Sequence, residues 1–80
     1  MIIKILYDEI NKKEAIKLYN FVNDIAKEAN DYLGMMISII FEKVQDTSQQ
    51  IQTPVMFVNN KKVVEGKIPN KKQLRNLIWY

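Results

Sequence analysis

The sequence predicts an α/β domain whose elements run βαβ and then ββα, and three observations lead there. Two short apolar, partly β-branched runs, Met1–Tyr7 and Met35–Phe41, flank one long amphipathic stretch. After them, Val55–Val58 and Val63–Glu65 are joined by Asn59 and Asn60, which tolerate positive φ and so suit a hairpin turn. A last apolar periodicity at Leu74, Leu77 and Ile78 follows Pro69 and Asn70.

Met1–Tyr7 holds a single charge, Lys4, and suits a strand covered on both faces. The next apolar positions, Ala15, Leu18, Tyr19, Val22, Ile25, Ala26, Ala29 and Leu33, recur in steps of one, three and four and draw one stripe along a helix. Lys13, Lys17, Asn20, Asp24, Lys27, Glu28 and Asp31 occupy its other side. Asn11 and Glu14 have capping-box spacing, which starts the helix near residue 12, and Gly34 ends it as a left-handed residue. Met35–Phe41 is the second strand. A strand, long helix, strand order implies a parallel pair with a right-handed crossover. Asp46–Gln52 is polar, with Asp46 able to cap a short helical link. Pro54 then opens the third strand, the hairpin returns through Val63–Glu65, Gly66 breaks it, and a short helix closes the chain.

Eighty residues with 48% hydrophobic and 26% charged content make one folded domain, expected over residues 1–80. The chain has no Cys and no His, which removes disulfide exchange, thiol nucleophiles, Cys or His zinc sites and the usual imidazole base. Ser38, Thr47 and Ser48 therefore have no base to activate them, and hydrolytic triads are excluded. Asp8 and Glu9 are adjacent acids without metal-site spacing and read as loop solvation or favourable charge near a helix N-terminus. No cofactor or metal is expected, nor any enzymatic activity. Lys4 interrupts the first apolar run before signal-peptide length, and no run approaches a membrane span, so the expected compartment is the cytoplasm. The net charge of +3 is uneven, with seven Lys or Arg against three acids in residues 41–80. Tyr19, Phe21, Tyr32, Phe41, Phe57, Trp79 and the four Met fall mostly on expected core faces, while Trp79 and Tyr80 either pack back on the sheet or stay exposed for a partner.

The segment Thr53-Pro54-Val55-Met56-Phe57-Val58-Asn59-Asn60-Lys61-Lys62-Val63-Val64-Glu65-Gly66-Lys67-Ile68-Pro69 joins Thr-Pro, an apolar strand, a tight turn, a Val-rich strand and Gly. With that segment and the element order, essentially the whole chain resembles the thioredoxin and glutaredoxin superfamily, nearest its small thioredoxin-like members often labelled redox-active disulfide proteins. The resemblance implies a thioredoxin-like fold: a four-stranded mixed sheet with helices on both faces, the first and last helices on one and the short link on the other. It also implies a cis Pro54 beside the family's active site, with the preceding backbone free to pair with an extended peptide. The family's Cys-x-x-Cys is missing, and its two positions fall approximately on Asn11 and Glu14. Smaller departures are the extra Asn or Lys in Asn59–Lys62 and the lack of Gly before Thr53.

The expected function is therefore a non-catalytic domain that binds a protein or peptide through Thr53, Pro54, Asp8, Glu9 and Asn11. A second reading is nucleic-acid or phosphate binding through a basic face of Lys61, Lys62, Lys67, Lys71, Lys72 and Arg75, set against the plainer one of a solvated surface. A third is a structural or oligomerisation subunit pairing through the edge of the hairpin, with the chain a monomer or weak dimer.

Overall fold

Ile3 and Ile5 lie at the centre of the molecule, on a strand with partners on both sides. The computed structural model describes residues 1–44 and 52–79. Its elements are β1 (Ile2–Tyr7), α1 (Lys12–Leu33), β2 (Ser38–Lys43), β3 (Val55–Val58), β4 (Lys61–Glu65) and α2 (Lys71–Trp79). The four strands form one mixed sheet in the order β2-β1-β3-β4. β1 pairs parallel to β2, from Ile2 opposite Ser38 to Tyr7 opposite Lys43. On its other side it runs antiparallel to β3, from Ile3 opposite Val58 to Leu6 opposite Val55.

The register decides which side chains become core. Ile3, Ile5, Met56 and Val64 share one face and pack with Leu18, Val22 and Ile25 of α1 and Leu74 and Ile78 of α2. Each such side chain gains about 1.5–3 kcal/mol from leaving water. Both α1 and α2 therefore cover this face, the placement expected of the first and last helices, and among the described residues no helix covers the other face, where the short link is expected. The short link Asp46–Gln52 lies outside them except for Gln52.

Several expectations about elements change. β2 begins at Ser38 rather than Met35, because the chain leaves α1 through Gly34 and pairs with β1 only from Ile2 onward. Pairing, not composition, sets its far end too, carrying it past Phe41 through Glu42 and Lys43. Leu33, the last residue of the expected stripe, is exposed beside the left-handed Gly34, and Leu77 stands at the exposed margin of α2 while Leu74 and Ile78 are buried. Tyr32, in the last turn of α1, and Met36, just after it, project into solvent rather than joining the core.

The turns follow backbone chemistry. Gly34 has φ 65°, a conformation that costs glycine little, and its amide donates to the Asn30 carbonyl while that of Met35 donates to Ala29. Asn59 and Asn60 have φ 49° and 70°, as a tight hairpin turn requires. Asn59 also ties the turn to β1, since its Oδ1 accepts from the Ile2 amide at 2.9 Å and its amide donates to the Ile2 carbonyl at 2.8 Å. Thr53-Pro54 is cis.

Candidate functional site

Continuing the β1/β3 register two residues past Leu6 and Val55 brings Asp8 opposite Thr53, at the end of the sheet where α1 begins. There three side chains close a network. The Thr53 hydroxyl donates to Asp8 Oδ2 at 2.8 Å and accepts from Asn11 Nδ2 at 3.2 Å. The Asn11 backbone amide donates to Asp8 Oδ1 at 2.9 Å. Thr53 is only 5% exposed, and its hydroxyl is satisfied in both roles, so its burial leaves no polar atom unpaired. Pro54 is likewise buried.

These donors act on one carboxylate. The Thr53 hydroxyl first, then the amides of Asn11 and Ile10, hold the Asp8 carboxyl below the usual aspartate range, because hydrogen bonds to the ionised form stabilise it. Glu9 points elsewhere. Its carboxylate meets Lys43 Nζ at 2.9 Å, and this contact lowers the Glu9 carboxyl and raises the Lys43 ammonium.

Asp8, Asn11, Thr53 and Pro54 thus come together, while Glu9 joins the neighbouring end of β2. Glu14 is exposed on the first turn of α1 and takes no part. The expected capping box of Asn11 and Glu14 is not formed: the Asn11 side chain makes no bond to the helix amides. It is drawn instead to Thr53, 42 residues away in the chain.

One residue of this loop was not singled out by sequence. Ile10, between the acids and the helix, is 89% exposed. The bonds that Asp8 accepts from the Asn11 amide and the Thr53 hydroxyl fasten the loop on either side of it, so a bare aliphatic side chain stands out from a tied backbone. Only its place next to charged residues in a loop could have marked it.

The basic face is divided by acids. Glu28 on α1 accepts from Arg75 Nε and Nη2 at 3.2 and 3.0 Å through one oxygen, and its other oxygen lies 3.6 Å from Lys71 Nζ. Arg75 is the main cause of a lowered Glu28 carboxyl. Lys62 pairs with Glu65 at 3.2 Å. Half of the six cations are thus matched by carboxylates of the same chain, and Arg75 also lies over the Trp79 ring, 5.5 Å from its centroid.

Among the described residues no three acids gather where a metal ion could sit, and no helix is long and apolar enough to cross a membrane. No family model, curated protein or solved structure matches the chain.

Proposed function

We propose that the chain is a non-catalytic domain of thioredoxin-like fold that binds a protein or peptide at the loop between β1 and α1. The observation that carries this reading is Ile10, exposed at the tip of a loop fastened by Asp8, Asn11 and Thr53. A fastened loop loses little conformational entropy when a partner docks, so the aliphatic contact is not offset by an ordering cost. The position of Thr53-Pro54 at the start of β3, beside the N-terminus of α1, supports the thioredoxin-like assignment. With no Cys and no His in the chain, the domain carries out neither disulfide exchange nor imidazole-based catalysis.

Panning a random peptide display library on the immobilised protein tests the proposal. Enriched peptides should lose at least tenfold in affinity on Ile10→Asp and keep it on Lys72→Glu, which alters a remote charge. Failure to enrich any sequence, or equal affinity for the protein and Ile10→Asp, removes the loop from consideration. An insulin-reduction assay should stay at the blank, and turnover above it would overturn the non-catalytic claim.

A further inference from the structure

Among the described residues, the two edges of the sheet are built differently. β4, at one edge, carries Lys61, Lys62 and Glu65, and its pairing with β3 is irregular at Met56/Phe57. Charge and irregularity are the usual means of keeping an edge from pairing further. β2, at the other edge, is a regular six-residue strand without Pro, Gly or bulge. Its two charges are engaged within the chain: Glu42 with Lys4 at 3.5 Å and Lys43 with Glu9 at 2.9 Å. Ile40 remains 39% exposed.

The backbone of β2 restricts what can pair with it. The amides of Ser38 and Val44 donate to Met1 and Tyr7 of the β1 side, so the even-numbered residues turn their amides and carbonyls toward β1. Ile39, Phe41 and Lys43 therefore turn theirs outward. For two antiparallel copies of β2, outward groups meet only when odd residues face odd residues. Three registers of that kind centre on Ile39, Ile40 or Phe41. Centring on Phe41 sets Glu42 against Ile40 and Lys43 against Ile39, which presses charges on aliphatic side chains. Centring on Ile39 sets Glu42 against Met36. Centring on Ile40 sets Ile40 against Ile40, Ile39 against Phe41, Glu42 against Ser38 and Lys43 against Ile37, so one charge rather than two meets an aliphatic side chain, no like charges are opposed and the central aliphatic and aromatic residues are matched.

From this self-complementarity we infer that β2 is a dimer edge, and that its occupant is β2 of a second copy, antiparallel and centred on Ile40. Ile39 and Phe41 of the two chains exchange both backbone bonds on each side of the two-fold axis, and the two described four-stranded sheets join into one with α1 and α2 of both copies on the same side. Tyr7 and Tyr19 hold Phe41 in place for that contact, with ring centroids 4.4 and 5.4 Å away. The inference does not rest on the Ile10 loop, and it places the dimer edge on the side of the sheet opposite the hairpin edge expected from sequence.

The absence of any native Cys makes the register directly measurable. At the axis the two Ile40 form a non-hydrogen-bonded pair, whose Cα atoms lie about 4.5 Å apart, within the roughly 4.4–6.8 Å that a disulfide spans. Ile40→Cys should convert to a covalent dimer under mild oxidation, whereas Lys62→Cys on β4 should not. In sedimentation equilibrium the unmodified chain should rise toward twice the monomer mass with concentration. Ile40→Lys should weaken that association at least tenfold, with unchanged circular dichroism showing that it folds. Monomer mass up to millimolar concentration, or cross-linking of Lys62→Cys as readily as Ile40→Cys, would overturn the inference.

Discussion

Asp8 concentrates the electrostatics of the loop in one group. Its carboxyl is held below the ordinary aspartate value by donors that exist only when Thr53 and Asn11 are folded beside it. A depressed folded value gives stability that is fully present above the unfolded pKa and lost as pH falls through the folded one. Urea unfolding of the unmodified chain should therefore show a fall in stability on the acid side of about pH 4, and Asp8→Asn should flatten that limb while lowering stability at neutral pH. Parallel acid limbs in the two proteins would show that the Thr53 contact does not act on the charged form. Glu9 and Glu28 are depressed in the same sense, by Lys43 and Arg75, so part of the acid limb will remain in the variant.

At the scale of elements, the two helices begin in different ways although their sequences suggest the same device. Asn11 and Glu14 have the spacing of a capping box, and so do Asn70 and Gln73. Only the second forms: the Gln73 amide donates to Asn70 Oδ1 at 2.8 Å and the Asn70 amide to Gln73 Oε1 at 3.1 Å. Among the described residues nothing competes for Asn70, which is exposed, whereas Asn11 is claimed by Asp8 and Thr53. Asn70→Ala should cost about 1 kcal/mol in chemical denaturation, while Glu14→Ala should leave stability within about 0.5 kcal/mol. A reversed order of the two effects would mean that α1, not α2, depends on side-chain capping. Gly34→Ala belongs with these, since a Cβ there meets open space but the left-handed φ of 65° strains any residue with a side chain. Its cost should be near 1 kcal/mol and should come from the backbone alone.

For the whole molecule, α2 is held by a buried pair, Leu74 and Ile78, and by the ions that join it to α1. Leu74 is fully buried against the shared core, so Leu74→Ala should cost about 2–5 kcal/mol in urea midpoint measurements. The Glu28 contacts with Arg75 and Lys71 are partly exposed and should act mainly on orientation. A Glu28→Gln, Arg75→Gln double-mutant cycle should give a coupling that fades in high salt and below the depressed Glu28 pKa. Coupling unaffected by either condition would point to packing of the Arg75 stem on Trp79 instead.

How much was legible follows from the range of the forces involved. The period of α1, its end at Gly34, the strand Val55–Val58 and the Asn59-Asn60 turn are set by local sterics and by burial of one face, and these are written in residue spacing. The start of β2, the exposure of Leu33 and the margin position of Leu77 depend on where neighbouring strands and helices stop, which spacing does not encode. The site divides the same way. Thr53, Pro54, Asp8 and Asn11 were recognisable as a group, but their bonding, and the exposure of Ile10 that it fixes, arise because the register sets Asp8 against Thr53 across the end of the sheet. By itself the sequence determined the α/β class and the absence of thiol and imidazole groups, since periodicity and the absence of residue types are local facts. Only the tertiary structure decided which Asn caps a helix and which cations are neutralised, because each is a competition between groups far apart in the chain.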